Sequence, residues 1–183
     1  MKTKSFWKKI KSTLAYGSKY FSIHIDECLL PDGRTMPRYY VVDFPDWVQV
    51  VAFDNNQNLI LVDQYRYPGE GWFIEFPGGS TLPDRSEDPL LAAKRELLEE
   101  TGYTSRDWAY LGSHYPNPAL MRNRCHVYLA TNCLKTSDLQ LDAFEVLEVK
   151  LMTVTELQMQ LKASQKVHSL MLATLELYKN HVR

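Results

Sequence analysis

Cysteine is scarce in this chain: Cys28, Cys125 and Cys133 are odd in number and lack metal-ligand spacing. That excludes a disulfide framework and a zinc module, and reads as reduced thiols in the cytoplasm. Long apolar runs are absent too. None approaches the roughly 20 residues that cross a bilayer, so no membrane span is expected. Lys8, Lys9 and Lys11 interrupt any apolar stretch near the start, which argues against a secretory signal. Neither sign of charge prevails, since 21 Lys and Arg face 22 Asp and Glu for a formal net charge of −1. There is then no electrostatic case for a nucleic-acid partner. Internal repeats and low-complexity tracts are also missing, and 183 residues suit one catalytic domain with a small appendage.

Hydrophobic periodicity organises what is there. The Lys-rich start, Lys2, Lys4, Lys8, Lys9 and Lys11 with Phe6, Trp7 and Ile10, reads as a basic amphipathic arm. Phe21, Ile23 and Ile25 alternate with polar residues as a strand, Pro31-Asp32-Gly33 is a turn, and 39–44 returns as a second strand. Strands are expected at 47–53 and 59–66 around the turn Asp54-Asn55-Asn56, and at 72–76. Further strands are expected at 108–113, 126–131 and 144–151. Two helices follow, one capped by Thr153 or Thr155 and reaching Ala163, the other over 167–179. The order implies an α/β fold, a mixed sheet with helices on both sides. We expect 1–46 to form an arm and hairpin, and 47–183 the catalytic domain.

The segment 88–101 predicts a helix with Asp88 as N-cap, Pro89 in the first turn and Gly102 just past its end. Leu90, Leu91, Leu97 and Leu98 are expected to pack on the sheet, and Ala92 and Ala93 to leave room for a large polyanion. Glu96, Glu99 and Glu100 stand at i, i+3 and i+4, on one side of that helix. Like charges so placed destabilise a helix by roughly a few tenths of a kcal/mol per pair. Taken alone the run also describes a solvated face; as a functional cluster it calls for a cation. Oxygen donors select a hard ion, Mg²⁺, with Mn²⁺ or Ca²⁺ as substitutes. Arg95 can pair with Glu99, or with Glu87 if the preceding loop folds back. Upstream, Gly78-Gly79 permits a sharp turn whose carbonyls can join a metal site, with Gly78 the candidate ligand.

Together Glu87-x7-Arg95-Glu96-Leu97-x-Glu99-Glu100-x-Gly102 resembles the Nudix box, G-x5-E-x7-R-E-U-x-E-E-x-G-U with U aliphatic. Two positions depart from it: Gly79 and Glu87 are separated by seven residues rather than five, and Tyr103 replaces the final aliphatic. Gln64-Tyr65-Arg66, the run Glu75-x-Pro77-Gly78-Gly79, and Tyr115-Pro116-Asn117-Pro118 are similar to the ADP-ribose and nucleotide-sugar pyrophosphatases. Pro118 lies fifteen positions after Tyr103, where ADP-ribose hydrolases carry a proline. Asn123 stands where relatives often carry an acid.

The resemblance implies an α/β/α sandwich and Mg²⁺-dependent hydrolysis of ADP-ribose to AMP and ribose 5-phosphate. The alternative is a broader nucleoside diphosphate sugar hydrolase; a nucleotide-sensing module would be expected to have lost box acids. It also implies a homodimer through the N-terminal hairpin. Glu96, Glu99 and Glu100 would hold the metal, with Glu99 and Glu100 counted as catalytic. Glu145 is the first choice of general base, by analogy with the family's downstream acidic loop, with Asp142, Glu148 and Glu99 as rivals. Arg66 would contact a phosphate or hold Glu75. A flat base needs a stacking partner, for which Tyr39, Tyr40 and Trp47 are candidates. His114, His126 and His168 show no zinc-like spacing and read as packing residues.

Overall fold

The computed structural model describes residues 6–82, 84 and 86–182, so Lys2 and Lys4 of the basic arm lie outside the described residues. Strand β4 (Trp47–Asp54) shows why the central sheet is covered twice. Its alternate residues Val48, Val50 and Ala52 point to one core cluster, Val51 and Phe53 to another, and all are buried. The neighbouring β5 (Leu59–Arg66) splits likewise, with Ile60 in the first cluster and Leu59 and Leu61 in the second. A strand apolar on both faces needs a layer on each side. Helix α1 (Pro89–Thr101) supplies one; α2 (Val154–Ala163) and α3 (Ser169–His181) supply the other.

The seven-stranded sheet follows the order β10 (Leu147–Met152), β5, β4, β9 (Cys125–Lys135), β7 (Tyr103–Thr104). Strand β6 (Gly71–Glu75) pairs with β5, and β8 (Asp107–His114) with β9. Only β4 and β9 run parallel among these pairs, so the sheet is mixed, as expected.

The N-terminal region forms a second sheet of three strands, β1 (Lys8–Gly17), β2 (Ser22–Leu29) and β3 (Thr35–Asp43), in that order. The expected hairpin is β2–β3. The stretch read as a basic arm is a third strand, paired with β2 from Lys8 to Gly17. Register shifts between Lys9 and Lys11 and between Leu14 and Tyr16 break its alternation, which hid it from a period-two reading. Arg122 joins this sheet to the main body through Asp26 and Asp43 at 3.3 and 3.7 Å.

Helix α1 begins and ends as its sequence dictates. Asp88 accepts the Leu90 N–H at 2.8 Å, and Gly102 closes the helix at φ 73°, its N–H on the Leu98 carbonyl. Its buried face differs from expectation. Leu91 is 58% exposed, while Ala92 and Ala93 lie in the core against β4 and β5. The alanines let the helix approach the sheet closely; they do not line the polyanion's space. Thr153 forms a capping box with Glu156 at the start of α2. The strand expected at 144–151 begins only at Leu147. Asp142 and Glu145 precede it in a turn, the Glu145 N–H on the Asp142 carbonyl at 3.0 Å, and Phe144 is 98% exposed. Among the described residues no helix is long and apolar enough to cross a membrane.

Leu97 is fully buried where α1 meets the sheet. Leu97→Ala is expected to lower unfolding free energy by about 2–5 kcal/mol, read by urea denaturation. A loss under about 1 kcal/mol would contradict this account of the α1 interface.

Candidate active site

The segment 77–80 runs beside β4, with the Val50 N–H on the Pro77 carbonyl and the Val48 N–H on the Gly79 carbonyl, both at 2.8 Å. These pairings do not use the Gly78 carbonyl. A Cβ on Gly78 would strike the Val48 carbonyl, and one on Gly79 would meet Glu96 Oε1 at 2.5 Å. The glycine pair is thus a matter of close approach, backbone wedged between a strand and a carboxylate.

Each acid of α1 is held differently. Glu100 is 3% exposed, and its Oε2 accepts the Gly78 N–H at 2.8 Å. Arg95 Nη1 donates to Glu96 Oε1 at 2.8 Å and to Glu99 Oε2 at 3.0 Å. Its Nε and Nη2 reach the two oxygens of Glu87, both at 3.1 Å, and Nη2 also donates to the Ser80 carbonyl at 3.0 Å. Both partners foreseen for Arg95 are therefore engaged. The two-residue insertion leaves Glu87 on the arginine, where it also accepts the Leu82 N–H at 3.0 Å.

Burial shapes the charge of this group. Desolvation, then repulsion from Glu96 and Glu145, raises the Glu100 carboxyl well above the ordinary range, against the pull of the Gly78 N–H. Desolvation lifts Glu96 to about 7, opposed by Arg95 and reinforced by Glu99 and Glu145. Among the described residues no three or more Asp, Glu, His or Cys side chains stand ready-gathered around one point. The reason is visible, since Arg95 draws Glu96 and Glu99 to itself while Gly78 keeps Glu100. The donor set still suits a hard divalent cation. It is all oxygen, Glu96 and Glu100 are desolvated, and a cation would favour the ionised carboxylates that burial disfavours.

Arg66 at the end of β5 and Glu75 at the end of β6 stand four positions apart in the strand register, yet their side chains form a two-pronged pair. Nε donates to Oε1 at 2.9 Å and Nη2 to Oε2 at 2.7 Å. Burial opposes ionisation of Glu75, but these bonds, with His168 nearby, hold it down at about 2. Arg66 also feels the charges of Glu100 and Glu145. Glu145 is tethered by Gln64, whose Nε2 donates to Oε1 at 3.0 Å. Arg66, Gln64 and Glu145 border a cleft of about 670 Å³ whose rim also carries Tyr20, Tyr67 and Phe144, all exposed.

Other expected site residues lie elsewhere. Tyr40 is an exposed residue of β3, Trp47 packs on Phe44 with ring centres 5.4 Å apart, and neither lines the cleft. Trp47 does pair with Ser80, beside Arg95. Pro118 is exposed, in the loop whose Leu120 carbonyl accepts the Val42 N–H of β3. Asn123 is only 1% exposed, so it is a core residue. Glu148 pairs with Lys150 at 2.7 Å, outside the cleft lining, whereas Asp142 lies within it. His126 faces Asp46 at 3.0 Å.

Three contributions escaped the sequence reading. Gln64 shares the β5 face with Arg66, a relation that period-two alternation offered. Lys19 and Tyr20 come from the β1–β2 turn, which had no motif. His168, read as packing alone, brings Nδ1 to 3.1 Å from Glu75 Oε2. That is a close electrostatic approach rather than an aligned hydrogen bond.

Comparison with known proteins agrees with this layout. A family model described as "NUDIX domain" matches residues 44–175. A methanol dehydrogenase activator of Bacillus methanolicus is 32% identical over 150 residues, covering 81% of this chain and 80% of that protein. An ADP-ribose pyrophosphatase of Bacillus subtilis (strain 168) is 32% identical over 148 residues, covering 79% of this chain and 78% of the other. The crystal structure of an ADP compounds hydrolase superposes with a TM-score of 0.81 over 100% of this chain and 97% of that one. At 19% identity this is a likeness of fold.

The Glu75 carboxyl sits near 2 in the fold against an ordinary 4.5. A depressed carboxylate stabilises the fold above its unfolded value, and that stability is lost as pH falls from about 4.5 towards about 2. Glu75→Gln is expected to remove at most about 3 kcal/mol at neutral pH, less the solvent screening of the half-exposed Arg66. It should also flatten the acid limb of stability against pH, measured by denaturation from pH 2 to 7. An unchanged acid limb would mean that Glu75 is not ionised against Arg66.

Proposed function

The chain belongs to the NUDIX domain family, matched over residues 44–175, and on that basis we propose that it hydrolyses the pyrophosphate bond of ADP-ribose. The products are AMP and ribose 5-phosphate, water adding to one phosphorus as the bridging P–O bond breaks. The observation that carries the reading is the charge grouping: Arg66, Gln64 and Glu145 line the cleft, and Arg66 and Glu145 are near enough to act electrostatically on Glu100 of α1. The ADP-ribose pyrophosphatase of Bacillus subtilis, alike over most of both chains, supports the choice of substrate.

Glu96, Glu99 and Glu100, with the Gly78 backbone, would hold Mg²⁺, with Mn²⁺ as a substitute. When bound, such an ion neutralises diphosphate charge and acidifies water. The Arg66 guanidinium meets a phosphate while Glu75 fixes its plane. Glu145, steadied by Gln64, takes the proton of the attacking water. Asp142 is the remaining rival in the cleft, and Glu99, half-exposed on Arg95, is another. The base stacks on the aromatic rim, where Tyr20 and Phe144 are better placed than Tyr40 or Trp47.

A second reading, broader turnover of nucleoside diphosphate sugars such as GDP-mannose and UDP-glucose, has one observation in its favour. The rim is aromatic, and a stacking surface accepts any base. We place the enzyme in the cytoplasm, as a homodimer joined through β1–β3, with residues 47–183 as the catalytic unit. All ten residues of β1 are exposed, including Ile10, Leu14 and Tyr16, which supports cover by a second copy.

A panel of ADP-ribose, GDP-mannose and UDP-glucose with Mg²⁺, products resolved by chromatography, tests the chemistry. ADP-ribose is expected to turn over fastest, and Glu99→Gln to slow it about 100-fold or more in folded protein. Faster cleavage of GDP-mannose would displace ADP-ribose, and an unimpaired Glu99→Gln would remove that residue from the metal set. Light scattering on a sizing column is expected to give the mass of two chains; the mass of one would end the dimer proposal.

A further inference from the structure

The linker between α2 and α3, residues 164–168, touches the turn of the β5–β6 hairpin and its strand β6, about 100 positions back along the chain. Lys166 Nζ donates to the Gly69 carbonyl at 3.0 Å and the Glu70 carbonyl at 2.6 Å. These carbonyls belong to the short 3-10 turn Tyr67–Gly69 and its cap, directly after Arg66. The fit is close, for a Cβ on Gly71 would meet Lys166 Nζ at 2.9 Å. Two residues further on, His168 approaches Glu75 at 3.1 Å, at the same Oε2 that accepts the shorter of the two Arg66 bonds. His168 occupies the N-cap of α3 yet makes no side-chain capping bond. Its ring lies edge-on to Phe73 instead, centres 6.5 Å apart at 69°. The side chain thus forgoes the local bond its position invites and turns towards the carboxylate that grips Arg66.

We propose that His168 is a positioning residue for diphosphate binding: it fixes the Glu75 carboxylate, and through it the Arg66 guanidinium at the cleft. Arg66 commits Nε and Nη2 to Glu75, so the orientation of that carboxylate sets where the guanidinium faces the substrate. The two-pronged bond locks the carboxylate to the guanidinium but leaves the pair able to shift together on their side chains. A contact at Oε2 from a third element, the α2–α3 linker, removes that freedom. Phe73 packs against Gly69 and His168, and Lys166 pins the turn, so the hairpin carrying both members of the pair cannot drift from the linker.

This inference rests on the reading of Arg66 as a phosphate partner, and the test separates the two. ADP-ribose hydrolysis is followed for His168→Ala, His168→Asn, Arg66→Lys and the Ala/Lys double variant, with circular dichroism to confirm folding. His168→Ala is expected to raise KM about tenfold, with kcat within about twofold. The AMP inhibition constant should rise in step. His168→Asn, whose side-chain amide reaches where Nδ1 does, should return KM towards the parent value. In the Arg66→Lys background the alanine change should add little, since the group it positions is already altered. If His168→Ala fails to fold, His168→Gln replaces it. Its amide lies one carbon beyond the Nδ1 position, so KM should rise while the asparagine variant stays normal. An unchanged KM, no rescue by asparagine, or independent multiplication of the two changes would overturn the proposal. If Arg66→Lys itself binds substrate and AMP normally, the phosphate role of Arg66 fails first, whatever His168 does.

Discussion

Electrostatic crowding around Arg95 is the constraint from which the rest of this structure follows. Glu87, Glu96 and Glu99 all pair with that guanidinium, and Glu100 sits beside them on a backbone N–H. Four carboxylates at this density would set the second half of α1 and its approach loop against each other without a central cation. A planar group with five donors satisfies several of them at once, which a lysine ammonium does with less geometric control. The seven-residue spacing between Gly79 and Glu87 is absorbed because the loop's end is tied to the arginine rather than to its own length.

Burial then turns this arrangement into chemistry. Ala92 and Ala93 bring α1 hard against the sheet, and the glycine pair lets the backbone touch Glu96 and Glu100 directly. Close packing excludes water, and desolvation raises both carboxyls, Glu96 to about 7. Carboxylates so placed are costly as anions on their own and well matched to a divalent cation. The same packing that stabilises the helix therefore prepares the candidate metal site of this Nudix-family chain. The opposite balance holds at Glu75, where bonds from Arg66 outweigh burial. Buried acids of one neighbourhood are thus pushed in opposite directions because their donors differ.

Much of the site was legible before any coordinates, and the parts that were share a property. The α1 acids, the Asp88 cap, Pro89 and Gly102 all lie within one helix, where residue spacing alone sets geometry. The Arg66–Glu75 pair lies within one hairpin, also a local relation. Errors arose where a local signal had two outcomes. Ala92 and Ala93 border the acidic arc and equally face the core, and only the sheet's position decided for the core. Phe144 extends the apolar pattern of 146–151 backwards, yet the chain turns there. Bulges in β1 concealed a strand beneath its lysines.

By itself the sequence determined the mixed sheet with helices on both faces, the acidic helix and the family. Each is written in periodicity or fixed spacing, which act over a few residues. Tertiary structure alone decided that Lys19 and Tyr20 share a cleft with Glu145, that Gln64 holds that glutamate, and that His168 reaches Glu75. These pairs are 81 to 126 positions apart or separated by several elements. No local pattern encodes such meetings, because they depend on how whole layers settle against one another in a close-packed core.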